Sequence, residues 1–227
     1  MSAEPRQIIH LDKLSDRPML NNRVLVKIDV VPEDGYKLKS GVIIGGSDWN
    51  EGARVARYGT VVKVPKRLIW RKQKAFDATM EWLTEIEIQE GDVVFFGKII
   101  SANAPAIRVG EDLYYLIPYG ELIMRVRNKE IYPLNGYAIV EKVTEKMRRN
   151  GLVLDFGDFH NKRVGVVRYV GMKNAAYYGT DAVDADVEVG DKVVFEGSFW
   201  TELEQQEVAT LEEDLGFVQR CWIIGKL

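Results

Sequence analysis

Glu90-Gly91-Asp92-Val93-Val94-Phe95 returns 99 residues later as Val189-Gly190-Asp191-Lys192-Val193-Val194, and this recurrence decides how the chain is read. In each stretch a Gly-Asp pair precedes a run of β-branched and aromatic residues. Glycine supplies the positive φ of a tight turn, aspartate bonds back to the backbone, and the apolar run forms a core strand. Working outward, Gly59-Thr60-Val61-Val62 returns as Gly165-Val166-Val167-Arg168 at an offset of 106. Ser40-Gly41-Val42-Ile43-Ile44 returns as Asn150-Gly151-Leu152-Val153-Leu154 at 110, and Asn22-Arg23-Val24-Leu25-Val26-Lys27 as Gly136-Tyr137-Ala138-Ile139-Val140-Glu141 at 114. Downstream, Glu121-Leu122-Ile123-Met124 is matched with Cys221-Trp222-Ile223-Ile224 at 100. Five blocks in one order mark an internal duplication.

The duplication divides the 227 residues into a leader (1–20), a first domain (21–130) and a second domain (131–227). The shrinking offset gives the first copy longer connections. Between Val64 and Ile88 lie 23 residues, against 16 between Val170 and Val187. The stretch Lys63 to Lys74, which runs into the first of these insertions, carries Lys63, Lys66, Arg67, Arg71, Lys72 and Lys74 beside Trp70. Ile69, Gln73, Phe76, Met80 and Leu83 follow at helical spacing, which predicts an amphipathic helix or a hairpin with its charges in water.

Short strand-like runs bounded by Gly, Asn, Asp or Pro dominate both halves, so the fold class is all-β. No strand–helix alternation with a phosphate-binding glycine pattern occurs. The two histidines, His10 and His160, have no Cys or His at metal-ligand spacing, and no nucleophile elbow is present. The reading is a binding protein, not an enzyme, with no catalytic residue, cofactor or metal. Net charge is −3 and carries no demand for a nucleic-acid partner. The halves nevertheless differ, with 20 basic and 18 acidic residues in 1–130 against 11 and 16 in 131–227. Cys221 is the single cysteine and reads as a buried thiol in a reducing compartment. No apolar stretch reaches the length of a membrane span, and the N-terminus lacks a signal-peptide core. A cytoplasmic location is expected.

The order of blocks resembles the GroES or chaperonin-10 co-chaperonin family, twice over and across nearly the whole chain. The V-x-x-G-D-x-V-x-F signature of that family is similar to Ile88–Phe95 and Val187–Val194. The resemblance implies two tandem GroES-like β-barrels. It also implies that Val42, Ile43 and Ile44, and Leu152, Val153 and Leu154, sit on loops that insert into a ring chaperonin. Homo-oligomerisation follows, because one loop binds weakly and several on one assembly bind tightly. The function implied is a lid that assists ATP-dependent protein folding without an active site of its own. Each aliphatic triplet also reads as an ordinary buried strand start. The rival function is a structural or assembly protein that uses the same barrel as a building block, for example in a virus particle. A plastid location after processing is a further alternative, since tandem forms of the family occur there.

Overall fold

A computed structural model describes residues 8–16, 19, 21–28, 36–37, 43–44, 58–72, 80–97, 104–145, 148–149, 152–153, 159–172, 185–196, 201–202 and 215–227. The fold is all-β. Among the described residues the helical elements are two 3-10 turns, Tyr119–Glu121 and Arg220–Trp222.

The first half contributes strands β1 (Ile8–Leu11), β2 (Arg23–Ile28), β3 (Tyr36–Lys37), β4 (Ile43–Ile44), β5 (Tyr58–Lys63), β6 (Leu68–Lys72) and β7 (Met80–Thr84). It continues with β8 (Val93–Phe96), β9 (Ala106–Val109), β10 (Asp112–Pro118), β11 (Leu122–Arg127) and β12 (Glu130–Pro133). The second half contributes β13 (Tyr137–Glu145), β14 (Arg148–Arg149), β15 (Leu152–Val153), β16 (Phe159–Val170) and β17 (Lys192–Phe195). It ends with β18 (Thr201–Glu202), β19 (Leu215–Gln219) and β20 (Ile223–Lys226).

Two sheets carry the duplication. The first runs β1-β9-β10-β2-β5-β8-β11-β12 and the second β18-β19-β13-β16-β17-β20. Six consecutive strands, β9-β10-β2-β5-β8-β11, therefore recur in the same order in the second sheet. The order runs from edge to edge without closing among the described residues. The chain gathers into two compact units, residues 1–69 with 83–122 and residues 70–82 with 123–227.

The correspondence extends to atoms. Gly91 and Gly190 adopt φ of 91° and 96°, as the Gly-Asp turns require. Asp92 accepts the Gln89 N–H at 2.8 Å through its carboxylate, and Asp191 accepts the Glu188 N–H at 2.8 Å. The Val61 N–H donates to Asp92 O at 2.8 Å, and the Val167 N–H donates to Asp191 O at 2.9 Å. Each of the paired strands also carries the same β-bulge. Val62 is the extra residue opposite the Leu25/Val26 step, and Arg168 is the extra residue opposite Ile139/Val140.

The cores match position by position. In the second sheet, buried Ala138, Val140, Val167, Val187, Val193, Phe195, Val218 and Ile223 form one cluster. Their counterparts Val24, Val26, Val61, Ile88, Val94, Phe96, Ile117 and Leu122 are all buried in the first. Burial of each valine, isoleucine, leucine or phenylalanine of these sets stabilises by about 1.5–3 kcal/mol, and a one-residue slip would turn the set off the core face, so this burial fixes the register.

One expectation changes, and one alternative is decided. The final block pairs Leu122 with Ile223, an offset of 101 where the sequence comparison gave 100. The 3-10 turns Tyr119–Glu121 and Arg220–Trp222 sit at that same spacing and set the true register. Of the two forms expected between Ile69 and Leu83, helix or hairpin, the described ends show the hairpin, since β6 and β7 form a two-stranded sheet. Leu68-Ile69-Trp70 and Trp82-Leu83-Thr84 are β-branched, aromatic and aliphatic residues that favour strands, and helical spacing among a few apolar residues does not outweigh that preference.

In the second unit a buried arginine holds the matching connection. Arg220 is 4% exposed, and its guanidinium donates to Gly171 O at 2.8 Å and to Ala185 O at 2.7 and 3.0 Å. It thereby ties Gly171, directly after β16, to Ala185 further along the segment that leads to β17. The equivalent residue in the first unit is buried Tyr119, whose hydroxyl accepts the Glu87 N–H at 2.9 Å.

Candidate functional site

Both aliphatic triplets lie in the connection between the same two strands of their copies, β2 to β5 and β13 to β16. A fixed scaffold position with its own insertion is where binding residues tend to be placed. Ile43 and Ile44 form β4, which pairs antiparallel with β3 (Tyr36↔Ile44, Lys37↔Ile43). Leu152 and Val153 form β15, which pairs with β14 (Arg148↔Val153, Arg149↔Leu152). Val42 and Leu154 lie outside the described residues. Each described pair belongs to a separate two-stranded sheet and not to either large sheet.

The base of the second arm is a continuation of the β13–β16 ladder. That ladder runs from Ala138↔Val170 through Lys142↔Gly165, shifts register, and continues as Thr144↔His160 and Glu145↔Phe159. Beyond it, two residues lead to β14, and Asn150-Gly151 connects β14 to β15. Asn-Gly is the preferred two-residue hairpin connection because both positions tolerate positive φ. In the first arm five residues, 38–42, separate β3 from β4.

Ion pairs brace the strands from which the arms emerge. Arg168 donates to Glu141 from Nε at 2.6 Å across β13 and β16. Lys27 on β2 meets Asp112 on β10 at 2.7 Å. The hydrogen bond from Lys27 holds the Asp112 carboxyl below its ordinary value, while burial, followed by the Asp112 contact, pushes Tyr114 up. At the Gly-Asp turn of the second unit, Lys226 binds Asp191 at 2.6 Å. That contact, reinforced by the Glu188 N–H, lowers the Asp191 carboxyl, and the same contact raises Lys226.

Among the described residues no group of three or more His, Cys, Asp or Glu could hold a metal ion. No described helix is long and apolar enough to cross a membrane. Cys221 is half-buried beside Gln219, more open than the buried thiol its neighbours predict. No protein-family model matches this chain, and no curated protein matches it.

The strands opposite the triplets are the part sequence reading passed over. Tyr36-Lys37 and Arg148-Arg149 are as much part of the tips as the aliphatic residues they pair with. For the second arm a signal was available, since Arg148-Arg149-Asn150-Gly151-Leu152-Val153 is a hairpin pattern around Asn-Gly.

Proposed function

We propose that this protein is a co-chaperonin-like lid, built from two GroES-like barrels, that binds a ring chaperonin through the aliphatic residues of its two arms. The observation that carries this reading is the repeated placement of an aliphatic hairpin between equivalent strands of two equivalent sheets. A fold kept twice down to its bulge and its Asp-to-backbone bond, with the same apolar insertion in each copy, is economical if both insertions do the same work.

Energetics agree with a multivalent mechanism. Three aliphatic side chains contribute at most about 1.5–3 kcal/mol each, which is small against the entropy of ordering a loop. Tight capping then requires several arms on one homo-oligomer, because later contacts are intramolecular. The lid acts in the chaperonin's own compartment, the cytoplasm on this reading, and uses no cofactor.

A building-block role is the second reading. Strand β1 favours it, because it lies at the edge of the first sheet with Ile9 51% and Leu11 42% exposed. Exposed apolar residues on an edge strand suit assembly into a larger particle.

The test is refolding of a chaperonin-dependent client by a double-ring chaperonin with ATP, using this protein in place of the usual lid. Recovery of activity, lost in the Ile43→Asp/Val153→Asp double variant, supports the lid. A well-folded protein that never raises the yield refutes it and favours the building block.

A further inference from the structure

Strands β11 and β20 hold the same place in their sheets, beside β8 and β17, yet their burial is opposite. Ile123 and Met124 on β11 are 5% and 0% exposed. Their counterparts in the second copy are Ile224, 65% exposed, and Gly225, also exposed. The difference is a neighbour. β12 pairs with β11 in antiparallel register (Met124↔Pro133, Arg125↔Tyr132), and the Leu134 N–H donates to Ile123 O at 2.8 Å. Beside β20, on the side away from β17, no strand lies among the described residues. The Leu227 N–H donates to Lys192 O on β17, so alternation turns the N–H and C=O of Ile224 and Lys226 to that open side. An edge of this kind, with exposed Ile224 and Leu227 along it, is a template for strand addition.

The duplication identifies the occupant. At the offset of 114 that relates Asn22 to Gly136, Glu130-Ile131-Tyr132-Pro133-Leu134 corresponds to Asp16-Arg17-Pro18-Met19-Leu20. Matched bonds hold this register, since the Tyr119 N–H donates to Asn22 O at 2.7 Å and the Arg220 N–H to Gly136 O at 2.8 Å. Met19 forms a parallel bridge with Pro65. Pro133 lies against Gly171, the counterpart of Pro65, so closely that an added Cβ would strike Pro133 O. Met19 therefore stands in its copy where Pro133, the last residue of β12, stands in the other.

We propose that a second copy of this chain lays residues 16–20 along β20, repeating the β11–β12 pairing between molecules. Leu20 then faces Ile224 as Leu134 faces Ile123, and Met19 faces Gly225 as Pro133 faces Met124. Pro18, at the place of Tyr132, has a carbonyl but no N–H to offer the ladder, so this contact is weaker than β11–β12. It joins unlike surfaces, and each copy both gives a segment and receives one. Such an assembly grows head to tail and closes as a ring or extends as a filament. The contact serves a lid and a building block equally.

The experiment measures the mass of the full-length protein by size-exclusion chromatography with light scattering at micromolar concentration. Wild type is expected at two or more chains per particle and Ile224→Asp at one. The circular dichroism spectrum of the variant should be unchanged, because Ile224 already faces water. A cross-link then reads the register. A pair such as Met124↔Pro133 brings Cα atoms to about 4.5 Å, within disulfide reach, and a Cβ on Gly225 meets nothing within 4 Å. In a Cys221→Ser background, Met19→Cys/Gly225→Cys should give a ladder of disulfide-linked dimers and larger species on mild oxidation. Neither substitution alone should give one. Wild type that runs as one chain at every concentration overturns the inference. An Ile224→Asp protein that keeps the wild-type mass also overturns it, and leaves the lid reading standing on another surface. A folded double-cysteine variant that forms no ladder shows the register to be wrong, and dimers from Gly225→Cys alone show like edges meeting; either result overturns it.

Discussion

Gly59 and Gly165 occupy equivalent points of the two sheets, and the structure assigns them different tolerance for a methyl group. A Cβ on Gly59 would lie 2.4 Å from Lys27 O, 2.6 Å from Val26 Cγ1 and 2.7 Å from Ile28 Cδ1. The carbonyl oxygen belongs to β2, which is paired on both sides, so it has nowhere to move. A Cβ on Gly165 would lie 3.1 Å from Glu141 O and from Val140 Cβ, a crowding that a shift of a few tenths of an ångström relieves. Overpacking of the first kind costs about 1–3 kcal/mol. In the second case the reduced entropy of the unfolded chain returns about 0.4–1 kcal/mol, leaving the change near zero. The expected difference between Gly59→Ala and Gly165→Ala is about 2 kcal/mol. For a unit of roughly 100 residues this is a difference in Tm of about 8–16 °C. Thermal denaturation followed by circular dichroism, with each variant against wild type, reads it directly. Equal shifts for the two variants, or a larger one for Gly165→Ala, would refute the claim that backbone approach at β2–β5 is the tighter of the two.

Phe96→Ala and Phe195→Ala remove equivalent buried rings, and each should cost about 3–5 kcal/mol in urea denaturation; a negligible effect at either site would break the equivalence of the cores. Asp92 is 1% exposed, so Asp92→Ala should cost about 1–3 kcal/mol by leaving the Gln89 N–H without its acceptor, and the same change at the more open Asp191 should cost less. Lys226 holds the Asp191 carboxyl below 3.8, so the folded state binds that proton less readily than the unfolded state. The pair therefore contributes stability above about pH 4 that is lost as pH falls through the folded value. Lys226→Met should move the Asp191 titration, followed by carboxyl carbon NMR, upward toward 3.8. Arg220→Leu should raise amide exchange at Ala185, whose N–H donates to Arg220 O, by loosening the tie between Gly171 and Ala185.

The all-β class and the repeat were legible because the turns that define them are chemically demanding. Gly91-Asp92 and Gly190-Asp191 need a positive φ and a short carboxylate, and few other residue pairs meet both conditions. The core strands were readable from their composition, since Val24-Leu25-Val26 and Val94-Phe95-Phe96 are unbroken apolar runs beside the turns, and all six residues are buried. The last block was misaligned by one residue because Cys221-Trp222-Ile223-Ile224 and Glu121-Leu122-Ile123-Met124 share apolar character at either register. Only the 3-10 turns before β11 and β20 separate the two. The insertion was harder. Ile69, Phe76, Met80 and Leu83 fit a helical stripe by spacing, but strand pairing between β6 and β7 is a contact across the insertion that no local pattern encodes. At the arms, the partner strand of the second triplet is signalled by Asn150-Gly151, whereas five residues separate β3 from β4 in the first and no short turn pattern marks their register.

The most direct test of the central claim is the mass of the complex formed with a double-ring chaperonin, measured by size-exclusion chromatography with light scattering in the presence and absence of ATP. A capped ring is expected with ATP, no complex without it, and loss of the complex when Ile43 and Val153 are both changed to Asp. A wild-type protein that stays apart from the ring under every nucleotide condition, while remaining folded, would contradict it.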